Sequence, residues 1–235
     1  MPSNLKPAEF PEASDALPAR ERILAMAAKL FAERGLDVGL RTITAEAHVS
    51  LAAVNYYFRS KEGLLEELFE QFSRPMAQER LRRLALCEPI PGRPPMLEQL
   101  LEAFLRPGFT LGIEPRLGGA AFVKLRARLA VETEDLARRI FARAFDDSSR
   151  QFLDAIAAIL PDIPRTDIEW RFHFLLGSQF YTMANSGRIQ TLTNGSCDPG
   201  NVELALQHLI PFVAAGFRSA PVAPRSVVPL ATRKD

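Results

Sequence analysis

The sequence is short of the residues that most catalytic and metal sites require. Its two cysteines, Cys87 and Cys197, lie far apart and form no Cys-x-x-Cys pair. Its three histidines, His48, His173 and His208, have no metal-binding spacing, and no Gly-x-Ser-x-Gly or phosphate-binding loop motif is present. We therefore expect neither an enzyme nor a metal or other cofactor.

A charge excess and a long apolar run are also missing. The 29 lysines and arginines nearly balance 28 acidic residues, so any affinity for nucleic acid must come from the local placement of cations. No uncharged apolar run reaches the length of about 18 residues that a membrane helix needs, and the N-terminus lacks a signal-peptide pattern. With two unpaired cysteines, this predicts a cytoplasmic protein without a membrane partner. The 47% hydrophobic content is enough for a core in one or two domains.

Residues 41–61, RTITAEAHVSLAAVNYYFRSK, contain two short helical patterns separated by a tight turn. Ile43 and Ala47 are four residues apart in the first pattern, and Val54 and Phe58 are four apart in the second. Val49 lies in the connector. Two such short helices cannot make a core alone, and the pattern is typical of a helix-turn-helix whose second helix enters a DNA major groove. An apolar stripe over residues 19–34 predicts the helix that supports it.

This region resembles the N-terminal DNA-binding domain of TetR-type bacterial transcriptional regulators. The resemblance covers residues 20–65, and segments 119–128 and 169–189 look like the PsrA-like, fatty-acid-linked subgroup. It implies an all-α fold in which an N-terminal three-helix helix-turn-helix domain is joined by a long helix to a helical-bundle ligand-binding and dimerisation domain. The first part rests on the joint spacing of Ala27, Phe31, Gly35, Ile43, Ala47, Val49, Val54, Tyr56, Phe58, Lys61 and Leu64.

The expected organisation has four parts. Residues 1–18 form a mobile arm, 19–63 the DNA-binding domain, 64–218 the effector-binding and dimerisation domain, and 219–235 a disordered tail. In the second half we expect loops at 87–95, 107–119 and 191–200, the second of them a flap, and helices over about 96–106, 119–132, 134–160, from 166, and from 202. Pro75 and Pro211 are expected to bend the helices that contain them.

Two departures from the family pattern lie on either side of the first short helix, one before it and one in the turn after it. Only seven residues separate Gly35 from Ile43, and Gly39 stands where a capping Ser or Thr is usual. His48 occupies the turn position where Gly is usual and positive φ is common. His48 is either a tolerated turn residue or a pH-sensing or DNA-contacting one. These departures leave open an alternative function, a dimeric small-molecule-binding module that has lost sequence-specific DNA binding.

The chemistry of the second short helix assigns candidate DNA contacts. Asn55 can bond the N6/N7 edge of adenine, small side chains can rest on a thymine methyl, and tyrosines can reach phosphates or instead pack inside. Ser50 is expected to cap this helix and Ser60 the next one, whose N-terminal amides form a phosphate clamp with Lys61. The predicted DNA-binding set is Arg41, Thr42, Ser50, Leu51, Ala52, Ala53, Asn55, Tyr56, Tyr57, Arg59 and Lys61.

Aromatic residues at helical spacing in the second half predict an apolar effector pocket. Arg126 falls on an apolar helix face, where a cation needs a partner. The partner is either an internal acid, such as Glu102, Asp154 or Glu169, or an acidic effector. The predicted effector-binding set is Phe104, Phe122, Arg126, Phe141, Phe145, Trp170, His173, Phe174, Gly177 and Tyr181.

The last two long helices carry more apolar surface than one small domain can absorb. We therefore expect them to form a four-helix interface with a second copy of the chain, as the family resemblance also implies. The predicted dimer-interface set is Leu176, Gln179, Met183, Leu206, Leu209, Phe212, Val213 and Gly216.

These expectations combine into one function. The chain is expected to be a homodimeric, ligand-responsive regulator with a double-stranded DNA operator as its partner. We expect a repressor that is released from the operator by a hydrophobic small molecule. The PsrA-like resemblance implies an acyl or acyl-CoA effector, and aromatic or terpenoid compounds are the alternatives.

Overall fold

The computed structural model describes residues 17–87, 96–110, 119–130, 135–185 and 187–222, and these residues form α-helices and no strand. The all-α prediction is confirmed. The helices are α1 (Ala19–Arg34), α2 (Leu40–Glu46), α3 (Leu51–Phe58), α4 (Lys61–Leu86), α5 (Leu97–Thr110), α6 (Gly119–Leu129), α7 (Asp135–Ile159), α8 (Arg165–Ala184), α9 (Arg188–Leu192) and α10 (Val202–Arg218). Expected features at 1–16, 88–95, 111–118 and 223–235 lie outside the described residues.

The first helix boundaries follow from local backbone chemistry. Gly35 ends α1 with a φ of 92° and a ψ of 177°, and its N–H donates to the Phe31 carbonyl at 3.1 Å. The positive φ favours glycine at this position, and the ψ is extended rather than left-handed helical. Gly39 precedes α2 in an extended conformation and provides no side-chain cap, as its residue type requires.

Helix α4 connects the two halves of the molecule. It is continuous over 26 residues, or about 39 Å, and Pro75 lies inside it without ending it. Pro211 likewise lies within α10. One end of α4 packs against α1 and α3, and the helix also packs against α5 and α7 of the second half.

Some expected boundaries in the second half are wrong. Helix α5 continues to Thr110, so that Pro107 and Gly108 are buried in a helix rather than starting a loop. The short helix α9 occupies part of the expected loop at 191–200. Residues 219–222 are held against α8, because Asp167 accepts the Val222 N–H at 2.8 Å and Arg171 donates to the Ala220 carbonyl at 3.1 Å. The tail expected from 219 therefore begins with ordered contacts.

Two hydrophobic cores lie at the two ends of this arrangement. The N-terminal core is formed by α1, α2, α3, the first half of α4, α6 and the start of α7. The C-terminal core is formed by α5, the end of α7, α8 and α10. Helix α6 therefore belongs to the second half of the chain but packs in the same core as the helix-turn-helix. The expected boundary at residue 63 falls inside that core, so a movement of α6 would be felt directly by α1.

Within the described ranges, every helix is too short or too polar to cross a membrane.

Candidate nucleic-acid interface and interior site

The turn between α2 and α3 is held by a residue that the sequence reasoning did not single out. The Arg22 Nε donates to the Ala47 carbonyl and its Nη2 to the His48 carbonyl, both at 3.3 Å. His48 has a φ of 52°, which confirms the expectation of positive φ at this position. Two hydrogen bonds from the Arg22 side chain on α1 to backbone carbonyls thus support a turn conformation that is unfavourable for histidine.

The predicted caps of α3 and α4 are confirmed. The Ser50 hydroxyl accepts from the Ala53 N–H at 3.3 Å, and the Ser60 hydroxyl accepts from the Gly63 N–H at 3.1 Å. Gly63 lies in the first turn of α4, where a side chain would collide with the carbonyl of Phe58, the last residue of α3. Glycine is therefore required at Gly63 for α4 to start immediately after α3.

The two faces of α3 divide as the spacing predicts. Val54 and Phe58 are buried in the N-terminal core, whereas Asn55 and Tyr56 face solvent. Tyr56 is 82% exposed, so packing is not its role in this structure. Its ring lies edge-on to that of Tyr57, with the centroids 5.0 Å apart. The surface of α3 therefore presents one amide and two phenol groups on an otherwise small-residue face.

Cations flank this surface without acidic partners. Arg41 and Arg59 are exposed, Lys61 lies with its Nζ 6.0 Å from the Phe31 ring centre, and none of the three forms an ion pair with a described residue. Thr42 is exposed on α2, and Leu51 and Ala52 are exposed on α3. Ser50 precedes α3 as its cap, and Ala53 is half-buried in the first turn of that helix. We name the predicted DNA-binding set the reading surface. It consists of Arg41, Thr42, Ser50, Leu51, Ala52, Ala53, Asn55, Tyr56, Tyr57, Arg59 and Lys61.

The interior contains Arg126 as predicted, but its expected acidic partners are engaged elsewhere. Glu102 accepts from Arg106 at 2.9 Å, and Asp154 and Glu169 both pair with Arg165 at 2.7 and 3.1 Å. The salt bridge expected for Arg126 is therefore not formed with any of them. Its Nη1 and Nη2 instead donate to the thioether sulfurs of Met76 and Met183, at 3.0 and 3.1 Å. Thioether sulfur is a weak acceptor for a buried cation.

A second buried arginine, Arg80 on α4, was not predicted. Its Nε donates to the Phe104 carbonyl at 2.9 Å, its Nη2 donates to the Gln179 Oε1 at 3.4 Å, and its guanidinium lies 3.8 Å from the Phe104 ring centre. The sequence does contain a pattern that predicts burial of Arg80, because Phe72, Met76 and Arg80 follow one another at four-residue spacing on one face of α4. The neighbouring charges of Glu79, Arg82 and Arg83 obscured it by suggesting a solvated face.

Burial acts on both arginines in the same direction. It lowers the pKa of Arg126 to about 10, and burial together with repulsion from Arg126 lowers the pKa of Arg80 well below its ordinary value. Both effects disfavour the charged form. The structure thus places two desolvated cations close enough to repel each other, with no described carboxylate paired to either.

A cavity of about 100 Å³ lies beside this pair. The ring centre of Phe145 is 5.8 Å from the guanidinium carbon of each arginine. Asp146 borders the cavity, but its carboxylate pairs with Arg150 at 3.0 Å. The complete lining is Arg80, Arg126, Phe141, Phe145, Asp146, Ser149, Leu176, Gln179 and Phe180.

The predicted effector residues do not all reach this cavity. Phe141 and Phe145 line it, and Phe104 packs beneath Arg80. Phe122 instead lies in the N-terminal core, with its ring 5.2 Å from those of both Phe69 and Phe72. Its expected place in the pocket lining is corrected accordingly, because α6 turns this side chain towards α4.

Helix α8 buries a different face from the one expected. Its predicted pocket residues lie on the outer face, with Trp170 and Phe174 each 62% exposed and Tyr181 67% exposed. His173 and Gly177 are exposed as well. The predicted interface residue Gln179 is fully buried, and Leu176 and Met183 are half-buried beside it. The expected interior placement of Trp170, Phe174 and Tyr181 is wrong, and so is the expected interface role of Gln179, because the contacts of α8 with α6, α7 and α10 turn a different face inward. The interface role of the half-buried Leu176 and Met183 stays a prediction.

Helix α10 also divides the predicted interface set. Leu206, Leu209 and Val213 are buried in the C-terminal core. Phe212 is 70% exposed, and Gly216 is exposed beside it. We name the exposed aromatic surface formed by Trp170, Phe174, Tyr181 and Phe212 the outer aromatic face. Two grooves of about 570 and 1050 Å³ open on it.

No group of His, Cys, Asp or Glu side chains able to hold a metal ion occurs in the parts of the chain that the structure describes.

Comparison with known proteins assigns both halves of the chain. The family model described as bacterial regulatory proteins of the tetR family matches residues 23–68, and the model of the tetracyclin repressor-like C-terminal domain matches residues 102–216. The HTH-type transcriptional dual regulator CecR of Shigella flexneri is 37% identical over 93 residues, covering 36% of this chain and 40% of that protein. The match with this relative therefore spans less than half of its length.

Solved structures share the whole architecture. The fatty acid degradation regulator FadR from Bacillus halodurans has a TM-score of 0.62 at 13% identity, over 87% of this chain and 98% of that one. A Clostridium perfringens protein described as a fatty acid metabolism regulator has a TM-score of 0.61 at 20% identity, over 83% and 97% of the two chains. The TetR-family regulator SCO4454 from Streptomyces coelicolor has a TM-score of 0.52 at 23% identity, over 85% and 94%. These identities establish a shared fold rather than a shared ligand. Together with the two family models, they show that the chain belongs to the TetR family of bacterial transcriptional regulators, which bind DNA through a helix-turn-helix.

Proposed function

We propose that the chain acts as a homodimer that represses transcription from a double-stranded DNA operator, and that a hydrophobic small molecule of acyl type releases it. The observation that carries the DNA part is the reading surface. Its amide and phenol groups point outward from a capped recognition helix, and Arg41, Arg59 and Lys61 flank them without acidic partners among the described residues. Amide groups read base edges and cations bind phosphates.

The outer aromatic face supports the homodimer. Large aromatic side chains exposed in one patch mark an interaction surface, and a twofold axis through this face would bury them against the same helices of a second copy. A dimer would set two recognition helices roughly 34 to 36 Å apart, in successive major grooves of one DNA side. The few cations of each reading surface would then bind phosphates at two sites on the same DNA.

The effector part is supported by the aromatic interior and by the structural relatives. Phe141, Phe145 and Phe180 line the interior cavity, and two proteins of similar fold are described as regulators of fatty acid degradation or metabolism. A ligand can release DNA only by binding one conformation more tightly than the other. About 3 kcal/mol of release requires more than hundredfold discrimination between the two conformations.

The test of DNA binding is fluorescence anisotropy with labelled duplexes from upstream of the protein's own gene, against scrambled duplexes and in increasing salt. We expect specific binding that weakens steeply with salt. Asn55→Ala should weaken it by about tenfold or more, since one bidentate base contact is worth about 1 to 3 kcal/mol. Gln78→Ala, an exposed amide on α4, is the matched control and should have no effect. Failure to select any specific sequence from a genomic library would overturn the repressor proposal in favour of a dimeric small-molecule-binding module.

The test of the dimer is sedimentation of Phe212→Glu. This change places a charge in the centre of the outer aromatic face and should yield monomers. Leu86→Glu is the matched control, because Leu86 is 72% exposed but lies at the end of α4. Dimers that persist in Phe212→Glu, or that dissociate equally in Leu86→Glu, would refute this face as the interface.

A further inference from the structure

A buried polar cluster lies where the two hydrophobic cores meet. Its members are Arg80 on α4, Arg126 on α6 and Gln179 on α8, all at most 4% exposed. Met76 and Phe145, which contact the arginines, belong to the N-terminal core, whereas Phe104, beneath Arg80, belongs to the C-terminal core. The cluster therefore contacts residues of both cores.

The cluster has an excess of hydrogen-bond donors over acceptors. Each guanidinium carries five N–H groups, and the Gln179 amide adds two more. The acceptors that they contact among the described residues are the Phe104 carbonyl, the Gln179 Oε1 and two weak thioether sulfurs. The Asp146 carboxylate also borders the cavity, but it is paired with Arg150. The Gln179 Nε2 is buried and has no acceptor at all among the described residues. A site of this composition is complementary to an anion.

The backbone leaves room for this arrangement. A methyl group added at Gly108 on α5 would collide with the Gln179 Nε2, and it would lie 3.5 Å from the Arg126 Nη2. The amide and the guanidinium thus share the space beside one glycine of α5. Aromatic rings compensate the charges only in part, with Phe180 at 5.5 Å from the Arg126 guanidinium carbon.

We propose that the cavity beside Arg80 and Arg126 binds the carboxylate of an amphipathic carboxylic acid, with the Gln179 Nε2 as a third donor. The apolar part of the ligand extends along Phe141, Leu176 and Phe180, which line the same cavity. The inference rests on the effector part of the proposed function and specifies it. The ligand is a free acid rather than a thioester, because a thioester carbonyl carries no charge to neutralise two buried cations.

The size of the cavity points to a small head group. Its volume of about 100 Å³ holds a carboxylate with a few carbon atoms and excludes a nucleotide. A longer chain has to displace apolar side chains from the lining. Carboxylate and phosphate both suit guanidinium groups, and the experiment below separates them.

The position of the cluster gives the ligand a route to the reading surface. A carboxylate between the arginines replaces the contacts of Arg126 with Met76 and Met183, which hold α6 against α4 and α8. Two residues further along α6, the Arg128 guanidinium packs against Gly35 at the end of α1, where an added Cβ would lie 2.9 Å from its Nη1. Arg80 is on the same continuous helix as Lys61, about 28 Å away at 1.5 Å per residue. Ligand binding therefore biases the positions of α4 and α6 relative to α1.

The experiment is calorimetric titration and thermal unfolding of the full chain with octanoate, octan-1-ol, octyl phosphate and octanoyl-CoA. Octanoate should bind with a 1:1 ratio per chain and, at about 100 times its Kd, raise the Tm by about 5 to 10 °C. Equal binding of octan-1-ol would overturn the anion site. Tighter binding of octyl phosphate would overturn the carboxylate assignment, and tighter binding of octanoyl-CoA would overturn the free acid.

Variants of the two arginines separate a ligand site from a structural role. Arg126→Met removes a buried charge that lacks a described partner, so it should raise the Tm of the ligand-free protein while weakening octanoate binding by at least tenfold. Lys124→Met, an exposed cation on the same helix, is the matched control. Arg80→Met should also abolish octanoate binding, and Arg82→Met is its control. A lower Tm for ligand-free Arg126→Met with unchanged octanoate affinity would show that Arg126 is only structural.

The octanoate titration also tests whether a carboxylate outside the described residues pairs with the two arginines. If Glu114, Glu132 or Glu134 were the partner of the arginines, octanoate would bind only after that residue is changed to Gln, and the proposal would be overturned. The titration needs no DNA, so its failure is distinct from failure of the operator assay. A protein that binds its operator but not octanoate keeps the regulator function and loses this inference.

Discussion

Two groups of basic side chains lack acidic partners among the described residues, and they lie in opposite surroundings. Arg41 and Arg59 are exposed on the reading surface beside Lys61, whereas Arg80 and Arg126 are buried between the cores. Two unit charges 4 Å apart interact by about 1 kcal/mol in water and by about 4 kcal/mol at an effective dielectric constant near 20. An unpaired cation also keeps its hydration on the reading surface, whereas a buried one loses it at a cost of several kcal/mol.

The difference indicates what kind of anion each group can attract. The exposed cations form an open surface that suits a chain of phosphates, whose binding depends strongly on salt. The buried cations lie beside a small cavity, which suits one compact anion. Only the buried group has a large effect on the stability of the protein itself, because only its charges lose their hydration.

The largest expected effect is on DNA binding. Arg59→Ala combined with Lys61→Ala should weaken operator binding by about 100-fold at low salt, and should reduce the slope of log K against log[salt] by about 4 in a dimer, because four phosphate contacts are lost. The measurement is anisotropy over a salt series. Lys124→Ala with Arg188→Ala removes the same charge from exposed positions outside the reading surface. An equal loss in that control would mean that total charge, not position, drives binding.

An intermediate effect is expected from crowding the interior cluster. Gly108→Ala should lower the free energy of unfolding by about 1 to 3 kcal/mol, because the added methyl collides with the Gln179 amide. Gly177→Ala, on the exposed face of α8, meets no neighbour and should raise it by about 0.5 to 1 kcal/mol. Both are measured by urea unfolding in the Phe212→Glu background, so that dimer packing does not contribute. If Gly108→Ala were as harmless as Gly177→Ala, the tight packing around Gln179 would be refuted.

The same contrast explains what could be predicted from the sequence. The helix-turn-helix was predictable because its determinants are local: Ser50 and Ser60 cap helices that begin one residue later, and Val54 and Phe58 are neighbours on one helix face. His48 in a positive-φ turn could be foreseen for the same reason. Arg22, which holds that turn from 25 residues away, could not.

The interior could be predicted only in part, because its determinants are distant in sequence. Periodicity identified Arg126 as buried, but α8 is apolar on several faces and gives no sign of which one turns inward. Contacts with other helices decide this, and they bury Gln179 while exposing Trp170 and Phe174. Helix α5 likewise continues past Pro107 because that segment is enclosed by the C-terminal core.

The smallest expected effect concerns arginines that do have a partner, one turn from Arg80. Hydrogen bonding from Arg82, followed by that from Arg83, lowers the pKa of Glu79 from 4.5 to about 2 despite partial desolvation. Because the pKa is lower in the folded protein, the ion pairs stabilise it above about pH 4.5, and this contribution disappears as the pH falls towards 2.

Glu79→Gln should therefore lower the free energy of unfolding by only about 0.5 to 1 kcal/mol at pH 7, since all three side chains reach solvent and water screens the pairs, and the difference from the unmodified protein should shrink steadily below pH 4.5. Urea unfolding at several pH values measures this, with Glu66→Gln on the same helix as the control. In this variant Arg82 and Arg83 lose their ion pair but are hydrated by water. Arg80, in contrast, is buried and is not hydrated. A loss of several kcal/mol would mean that Arg82 and Arg83 depend on a carboxylate as strongly as a buried arginine does, and the distinction between exposed and buried cations would fail on this helix.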